Sequence, residues 1–214
     1  MRIYLTRPRS TGLTLIEVMI VVVVLVLLGL VVVSRMTLVP RPAKRAQCAG
    51  NLKQTGMSFR LWSGDHGDRF PQAFSTNEGG TFEFGPEVWR HFRAISNELA
   101  TPTVLWCPAD RTRRPAKDFG SLQNTSLSYF LSLDARETEP QMVLLGDRNL
   151  ALAGKSLGPG LVSLATNSPV GWTQEIHPDG GNICLADGSV QLVTEARLRD
   201  QLRQGGSTNR VAIP

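Results

Sequence analysis

The sequence predicts an α+β protein: a long amino-terminal helix, apolar on all sides in its first half, packed through its second half on a small antiparallel β-sheet head. Three observations carry this. From Val18 to Val33 no side chain is charged or polar. Further along, Cys48, Leu52, Thr55, Phe59 and Trp62 recur at alternating steps of four and three, which is one face of a helix. The rest of the chain breaks into short apolar runs separated by turn-forming residues, the clearest turn being Asp187-Gly188.

The elements follow in order. Counted from Leu13, the apolar run reaches Val33 with interruptions only at Thr14 and Glu17. At ~1.5 Å per residue it covers ~30 Å, the thickness of a bilayer's hydrocarbon core. Residues 13–39 are therefore expected to form a transmembrane helix. A secretory signal would have a shorter apolar stretch and a small-x-small cleavage site; Ser34-Arg35-Met36-Thr37 offers none. Orientation from flanking charge is nearly tied, with Arg2, Arg7 and Arg9 before the span and Arg35, Arg41, Lys44 and Arg45 after it.

Pro40 and Pro42 place a break near Val39. The helix pattern then resumes over Ala43 to Trp62 and ends at Gly64, Asp65 and Gly67, with Lys53 and Arg60 off the apolar stripe. In the head, Pro86 to Glu98 reads as a helix, and Thr103 to Trp106 and Ser128 to Leu133 as short strands. Met142 to Leu145 reads as a buried strand, Arg111 to Ser126 as a loop, and the Gly-, Ser- and Pro-rich Ala151 to Val170 as irregular. Trp172 to His177 is extended, and Pro178-Asp179-Gly180-Gly181 is a turn. Asn182 to Ala186 and Val190 to Val193 form a hairpin about Asp187-Gly188, with Ile183 and Leu185 on one face. Thr194 to Gln204 reads as a last helix and 205–214 as a polar, flexible tail.

Composition excludes more than it selects. Three of the five net positive charges come from Arg2, Arg7 and Arg9, and no basic stripe interleaved with aromatics follows, so no nucleic-acid partner is expected. The cysteines Cys48, Cys107 and Cys184 lack the CxxC spacing of a zinc site. No Gly-x-Ser-x-Gly, phosphate loop or Cys–His pairing signal points to an enzyme.

Gly12-Leu13-Thr14-Leu15-Ile16-Glu17, behind a short basic leader and directly before the span, resembles the type IV prepilin signature shared by pilins and the pseudopilins of type II secretion. The resemblance implies a pilin-like fold and cleavage by prepilin peptidase between Gly12 and Leu13. The leader would be 1–12, and Leu13 would become the N-methylated terminus. It implies that Glu17 sets register in assembly by pairing with the new α-amine of its own or a neighbouring subunit, which offsets the cost of a carboxylate in lipid. Acids near a helix start also suit the dipole without any partner.

The head continues the likeness. Cys48-Ala49-Gly50-Asn51-Leu52-Lys53-Gln54, Asp65 to Pro71, Trp106-Cys107-Pro108-Ala109-Asp110 and Gly146-Asp147 resemble stretches of a bacterial group of pseudopilin-like proteins. The group is marked by a carboxy-terminal H-x9-DG motif, matched here by His177 and Asp187-Gly188. The domains implied are 1–12 leader, 13–39 transmembrane helix, 40–64 periplasmic continuation of that helix, 65–204 globular head and 205–214 tail. The function implied is a structural filament subunit, with prepilin peptidase, other pseudopilins and an inner-membrane secretion platform as partners. It would be a single-pass inner-membrane protein with the amino terminus cytoplasmic and the head periplasmic. The alternatives are an anchored periplasmic binding protein that never polymerises, or an anchored metal-dependent hydrolase.

On the expected hairpin, His177 and Asp187 lie at opposite ends of a five-residue strand, ~15 Å apart or more at ~3.3 Å per residue. A general acid/base pair works at ~3 Å, so the motif is expected to be structural: Asp187-Gly188 the turn, His177 the fixing of the preceding loop. No cofactor is expected beyond a Ca²⁺ site, which the resemblance to major pseudopilins suggests, with Asp147, Asp179 and Asp187 as candidate ligands. Asp65-His66-Gly67-Asp68 reads as a helix-ending turn. Cys48 and Cys107 either form a disulfide or stay as two buried thiols, and Cys184 is a buried strand residue.

Overall fold

The computed structural model describes residues 14–36, 41–206 and 208–214. It comprises two compact units, one ending at Pro40 and one running from Arg41 to Pro214.

The first unit holds helix α1, Leu15–Met36. Over the stretch described with side chains, 15–31, every residue is exposed, from Leu15 at 80 % to Val24 at 47 %. Among the described residues no helix is long and apolar enough to cross a membrane. The spanning role of 13–39 thus stays an expectation from the sequence, and the break near Val39 lies outside the described residues.

The second unit is α+β with antiparallel sheets. Helix α2, Arg41–Gly64, buries the expected stripe: Cys48, Leu52, Thr55 and Phe59 are fully buried and Trp62 nearly so. Helix α3, Val88–Ala94, is shorter than Pro86 to Glu98 and buries Val88 and Phe92. The strands are β1 Tyr129–Ser132, β2 Val143–Asp147, β3 Leu150–Leu152, β4 Lys155–Ser156, β5 Gly160–Ala165, β6 Val170–Trp172, β7 Gly181–Leu185, β8 Val190–Val193 and β9 Thr208–Ile213. They make a six-stranded sheet in the order β5-β9-β1-β2-β7-β8 and a three-stranded sheet β4-β3-β6. Helix α4, Glu195–Gln204, is capped by Thr194, whose Oγ1 accepts from the Arg197 N–H at 3.4 Å.

Both faces of the large sheet are covered, so β2 and β7 are buried at every residue rather than alternately. One face carries Leu144, Leu145, Cys184 and Ala186 into a cluster with Leu52, Phe59, Phe92 and Leu105. The other carries Val143, Ile183 and Leu185 into a cluster with Leu198, Leu202, Val211 and Ile213. Ile183 and Leu185 thus share a face as the alternation requires. Leu144 and Leu145 point the same way because the β2–β7 register shifts between Val143 and Leu145.

Four local expectations are corrected. Thr103 to Trp106 is no strand: Pro102–Leu105 is a 3₁₀ turn, opened by Pro102 and by Thr101, whose Oγ1 accepts from the Thr103 N–H. Ala151 to Val170 is not irregular but contains most of β3, all of β4 and β5, and the start of β6; its Gly residues mark turns, as at Ala153-Gly154, both with positive φ (49° and 78°). Trp172 to His177 is extended only at its start, where β6 ends. Most consequentially, 208–213 is no flexible tail but β9, paired with β5 and β1, with Val211, Ala212 and Ile213 buried. Its entry is pinned by Arg210, whose Nη2 donates to Asp134 Oδ1 at 2.6 Å.

Candidate functional site

At the amino end, Gly12 and Leu13 lie outside the described residues. Glu17 sits in the first turn of α1. Its Oε2 accepts from the Thr14 N–H at 2.8 Å and from Thr14 Oγ1 at 2.9 Å, while the Glu17 N–H donates back to Thr14 Oγ1 at 3.4 Å. This is a capping box, Thr-x-x-Glu, in which one carboxylate closes the start of its own helix. The Thr-x-x-Glu spacing of Thr14 and Glu17 is itself the sequence signature of such a cap.

In the head, the short motifs meet one another. Cys48 on α2 and Cys107, just after the 3₁₀ turn, form a disulfide across 59 residues, which resolves the choice left open above. Asn51 Nδ2 donates to the Trp106 carbonyl at 2.8 Å, and the Tyr129 hydroxyl donates to the Cys48 carbonyl at 3.2 Å. The segment Trp106-Cys107-Pro108 is therefore held to α2 by a covalent bond and a hydrogen bond. Asp110, fully buried, accepts from Arg148 Nε at 2.8 Å and Nη2 at 3.0 Å and from Ser128 Oγ at 2.9 Å. Burial alone would raise this carboxyl; the hydrogen bonds and charge of Arg148 outweigh it and hold it below its ordinary value.

The Asp187-Gly188 turn has its own anchor. The Gly188 N–H donates to the Leu185 carbonyl at 2.8 Å and the Leu185 N–H to the Ser189 carbonyl at 2.9 Å, so the loop is longer than the two-residue turn expected. Gly188 has φ 77° and lies against Met57 and Arg60, so a side chain there would be strained and would crowd both. Arg60 Nη1 donates to the Asp187 carbonyl and Lys53 Nζ to the Gly188 carbonyl, each at 2.8 Å. Lys53 and Arg60, off the apolar stripe and so without an assignment in the sequence, hold the hairpin tip against α2.

His177 and Asp187 do not meet. Asp187 Oδ1 accepts from the Ser189 N–H at 2.7 Å. His177, buried, places Nε2 3.7 Å from Cys107 Sγ and 3.7 Å from Asp147 Oδ2. Asp147, fully buried at the end of β2, receives the Asn182 N–H at 2.6 Å and Asn182 Nδ2 at 3.1 Å on Oδ2, and its Oδ1 has no partner. Burial pushes the Asp147 carboxyl up to about 7 against those hydrogen bonds and the nearby Arg45 charge. Burial, then Arg45, pushes His177 down to about 4. Burial disfavours the charged form of both side chains, so the 3.7 Å contact is not held together as an ion pair.

The three candidate calcium ligands are not brought together. Asp147 is bound to Asn182, Asp187 to Ser189, and Asp179 is exposed. Among the described residues, the ligand-type side chains that do cluster are Cys48, Cys107 and His177, within 4.8 Å of one another, and the two cysteines are already joined in the disulfide. Asp65-His66-Gly67-Asp68 ends α2 as a turn: His66 Nδ1 lies 2.6 Å from the Trp62 carbonyl and its ring stacks on Trp62 at 3.6 Å. Cys184 is a free, buried thiol packed against Gly56, as its strand position implied.

Nothing in this constellation places a nucleophile, a base and an open cleft together; the motifs act as a junction tying α2, the 106–110 segment, β2 and the β7–β8 hairpin. No family model, no curated protein and no solved structure matches the chain.

Proposed function

We propose that this chain is a prepilin-like filament subunit, processed after Gly12, anchored in the inner membrane by 13–39 and assembled through its amino-terminal helix into a type II secretion pseudopilus or related filament, with the head in the periplasm. The observation that carries the reading is the order Gly12, Leu13, Glu17 directly ahead of an apolar run that continues as α1, apolar on every side through Val31. A helix without a polar face suits a lipid environment or a bundle of like helices. A disulfide in the head suits an oxidising compartment.

The Thr14–Glu17 cap favours a second reading, a membrane anchor that never polymerises, because it gives the carboxylate a partner within its own chain. Glu17→Gln separates the two. Glutamine keeps the capping box and removes the charge. If Glu17 pairs with an α-amine in assembly, the variant reaches the membrane at normal level but loses the ladder of crosslinked multimers that the parent forms in cells carrying the secretion platform. A parent without a ladder, or a variant ladder equal to the parent's, defeats the filament reading.

A further inference from the structure

The six-stranded sheet ends in two strands that each have a neighbour on one side only, β5 and β8. We propose that β5 of one subunit pairs antiparallel with β8 of the next, so that the sheet continues from head to head through the assembly. The pairing rests on the filament reading in one respect: neighbouring heads belong to chains held from the same side of one membrane.

Both edges are open. Among the described residues, the backbone of 160–164 bonds only to β9 and that of 190–193 only to β7. An unpaired edge is a template for another strand, and proteins that stay apart blunt theirs with lysine, proline or a bulge. Gly160-Leu161-Val162-Ser163-Leu164-Ala165 and Val190-Gln191-Leu192-Val193 contain no charge and no proline. Their registers with β9 and β7 run without a bulge.

Direction and face select the partner. Every pairing in the sheet is antiparallel and the strands number six, so β5 and β8 run in opposite directions. A copy set beside the first in the same orientation therefore brings its β5 antiparallel to the first one's β8. Leu161, Ala212, Leu131, Leu145, Cys184 and Val190 stand opposite one another in turn and form one row on the face that α2 covers. Leu192, two residues beyond Val190, shares that face. Among the described residues, the exposed large apolar side chains of this sheet are Leu161, at 47 %, and Leu192, at 58 %, one on each edge strand. Opposing these two leucines matches 160–163 with 193–190 and gives each an apolar cross-strand neighbour.

Like edges fit less well. Antiparallel pairing of β5 with β5, or of β8 with β8, needs a two-fold axis normal to the sheet. That rotation reverses every direction in the plane of the sheet, including that of α2, which packs on it. The Arg41 ends of the two helices would point opposite ways, and one membrane could not hold both chains from the same side. The β5–β8 contact keeps the helices alike in direction, and a contact of this head-to-tail kind can repeat without closing.

The test is thiol crosslinking of the full chain in cells that carry prepilin peptidase and the secretion platform, in a Cys184→Ser background that removes the free thiol. In a continuous sheet two copies of residue 161 stand six strands, ~29 Å, apart, beyond the reach of a short bismaleimide. Leu161→Cys and Leu192→Cys should therefore give monomer when each is expressed alone, a dimer when the two variants are co-expressed, and a ladder when both substitutions are in one chain. Separately, Leu161→Glu should cut the multimers of the otherwise unchanged chain by about fivefold, the weight of one cross-strand pair, and adding Leu192→Arg should restore them. No ladder from the double cysteine variant overturns the pairing, as does a dimer from Leu161→Cys alone or a failure of Leu192→Arg to rescue. If the parent still forms its multimers while the double cysteine variant gives no ladder, edge pairing falls and the filament reading stands. A cysteine ladder that persists with Glu17→Gln supports edge pairing on its own.

Discussion

Replacing Cys48 and Cys107 together by alanine should destabilise the oxidised head by about 3–4 kcal/mol. The disulfide spans 59 residues and both cysteines are fully buried. Closing a loop of that length removes unfolded-chain entropy worth about 4 kcal/mol in the loop-entropy account, less whatever structure the unfolded chain retains. For a head of this size the melting temperature should fall by roughly 10 °C. The Asn51–Trp106 and Tyr129–Cys48 hydrogen bonds remain in the variant and keep the segment near its place, so the fold should survive. Thermal melts of parent and double variant, both without reductant, check this. A loss under about 1 kcal/mol would mean that the bond contributes no closure, and would remove the staple from the account of the motif junction.

The second large effect concerns pH. In the native head Asp147 titrates near 7, against an ordinary carboxyl value of 3.8, and His177 near 4, against 6.5. A raised carboxyl gives stability that is complete at low pH and is lost as pH climbs from about 4 to 7. A depressed imidazole gives the opposite: its contribution is complete above 6.5 and is lost as pH falls toward 4. Between about 4 and 6.5 the folded pair holds one proton, on Asp147, and the unfolded pair also holds one, on His177. The two slopes cancel, and the pair makes no net demand on pH in that window. Single substitutions unmask them. With the disulfide intact, His177→Gln should make the head less stable as pH rises from 4 to 7, and Asp147→Asn should make it less stable as pH falls from 6.5 to 4. Each slope should amount to a few kcal/mol at most, one pKa unit being worth about 1.4 kcal/mol. Urea midpoints at several pH values check it; parallel profiles for the two variants would rule out the assignment of the proton to Asp147.

How much of this was legible depends on the range over which each interaction acts. The α2 stripe from Cys48 to Trp62 was legible because helical periodicity is local, and the Asp187-Gly188 turn and helix α4 were legible for the same reason. Strand β9 was not. Thr208-Asn209-Arg210 is polar, and nothing nearby announces the β5 and β1 edges that pair with it; the apolar Val211-Ala212-Ile213 was the available sign. Lys53 and Arg60 look like solvated charges by spacing alone, yet they bind the carbonyls of a turn more than a hundred residues away. The Cys48–Cys107 disulfide joins segments 59 residues apart, a distance over which spacing carries no sign of pairing. His177 lies beside Asp147 and Cys107, a meeting of three distant segments that no local spacing announces. The Thr14–Glu17 cap was the reverse case, a local signal in plain view beneath a louder one.

The proposed processing of the amino end is tested by the intact mass of the protein isolated from membranes of cells that contain prepilin peptidase. The account predicts a chain that begins at Leu13, carries one added methyl group on its α-amine and reverts to the uncut mass when the peptidase is absent. A chain that keeps Met1 through Gly12 in the presence of the active peptidase would contradict it.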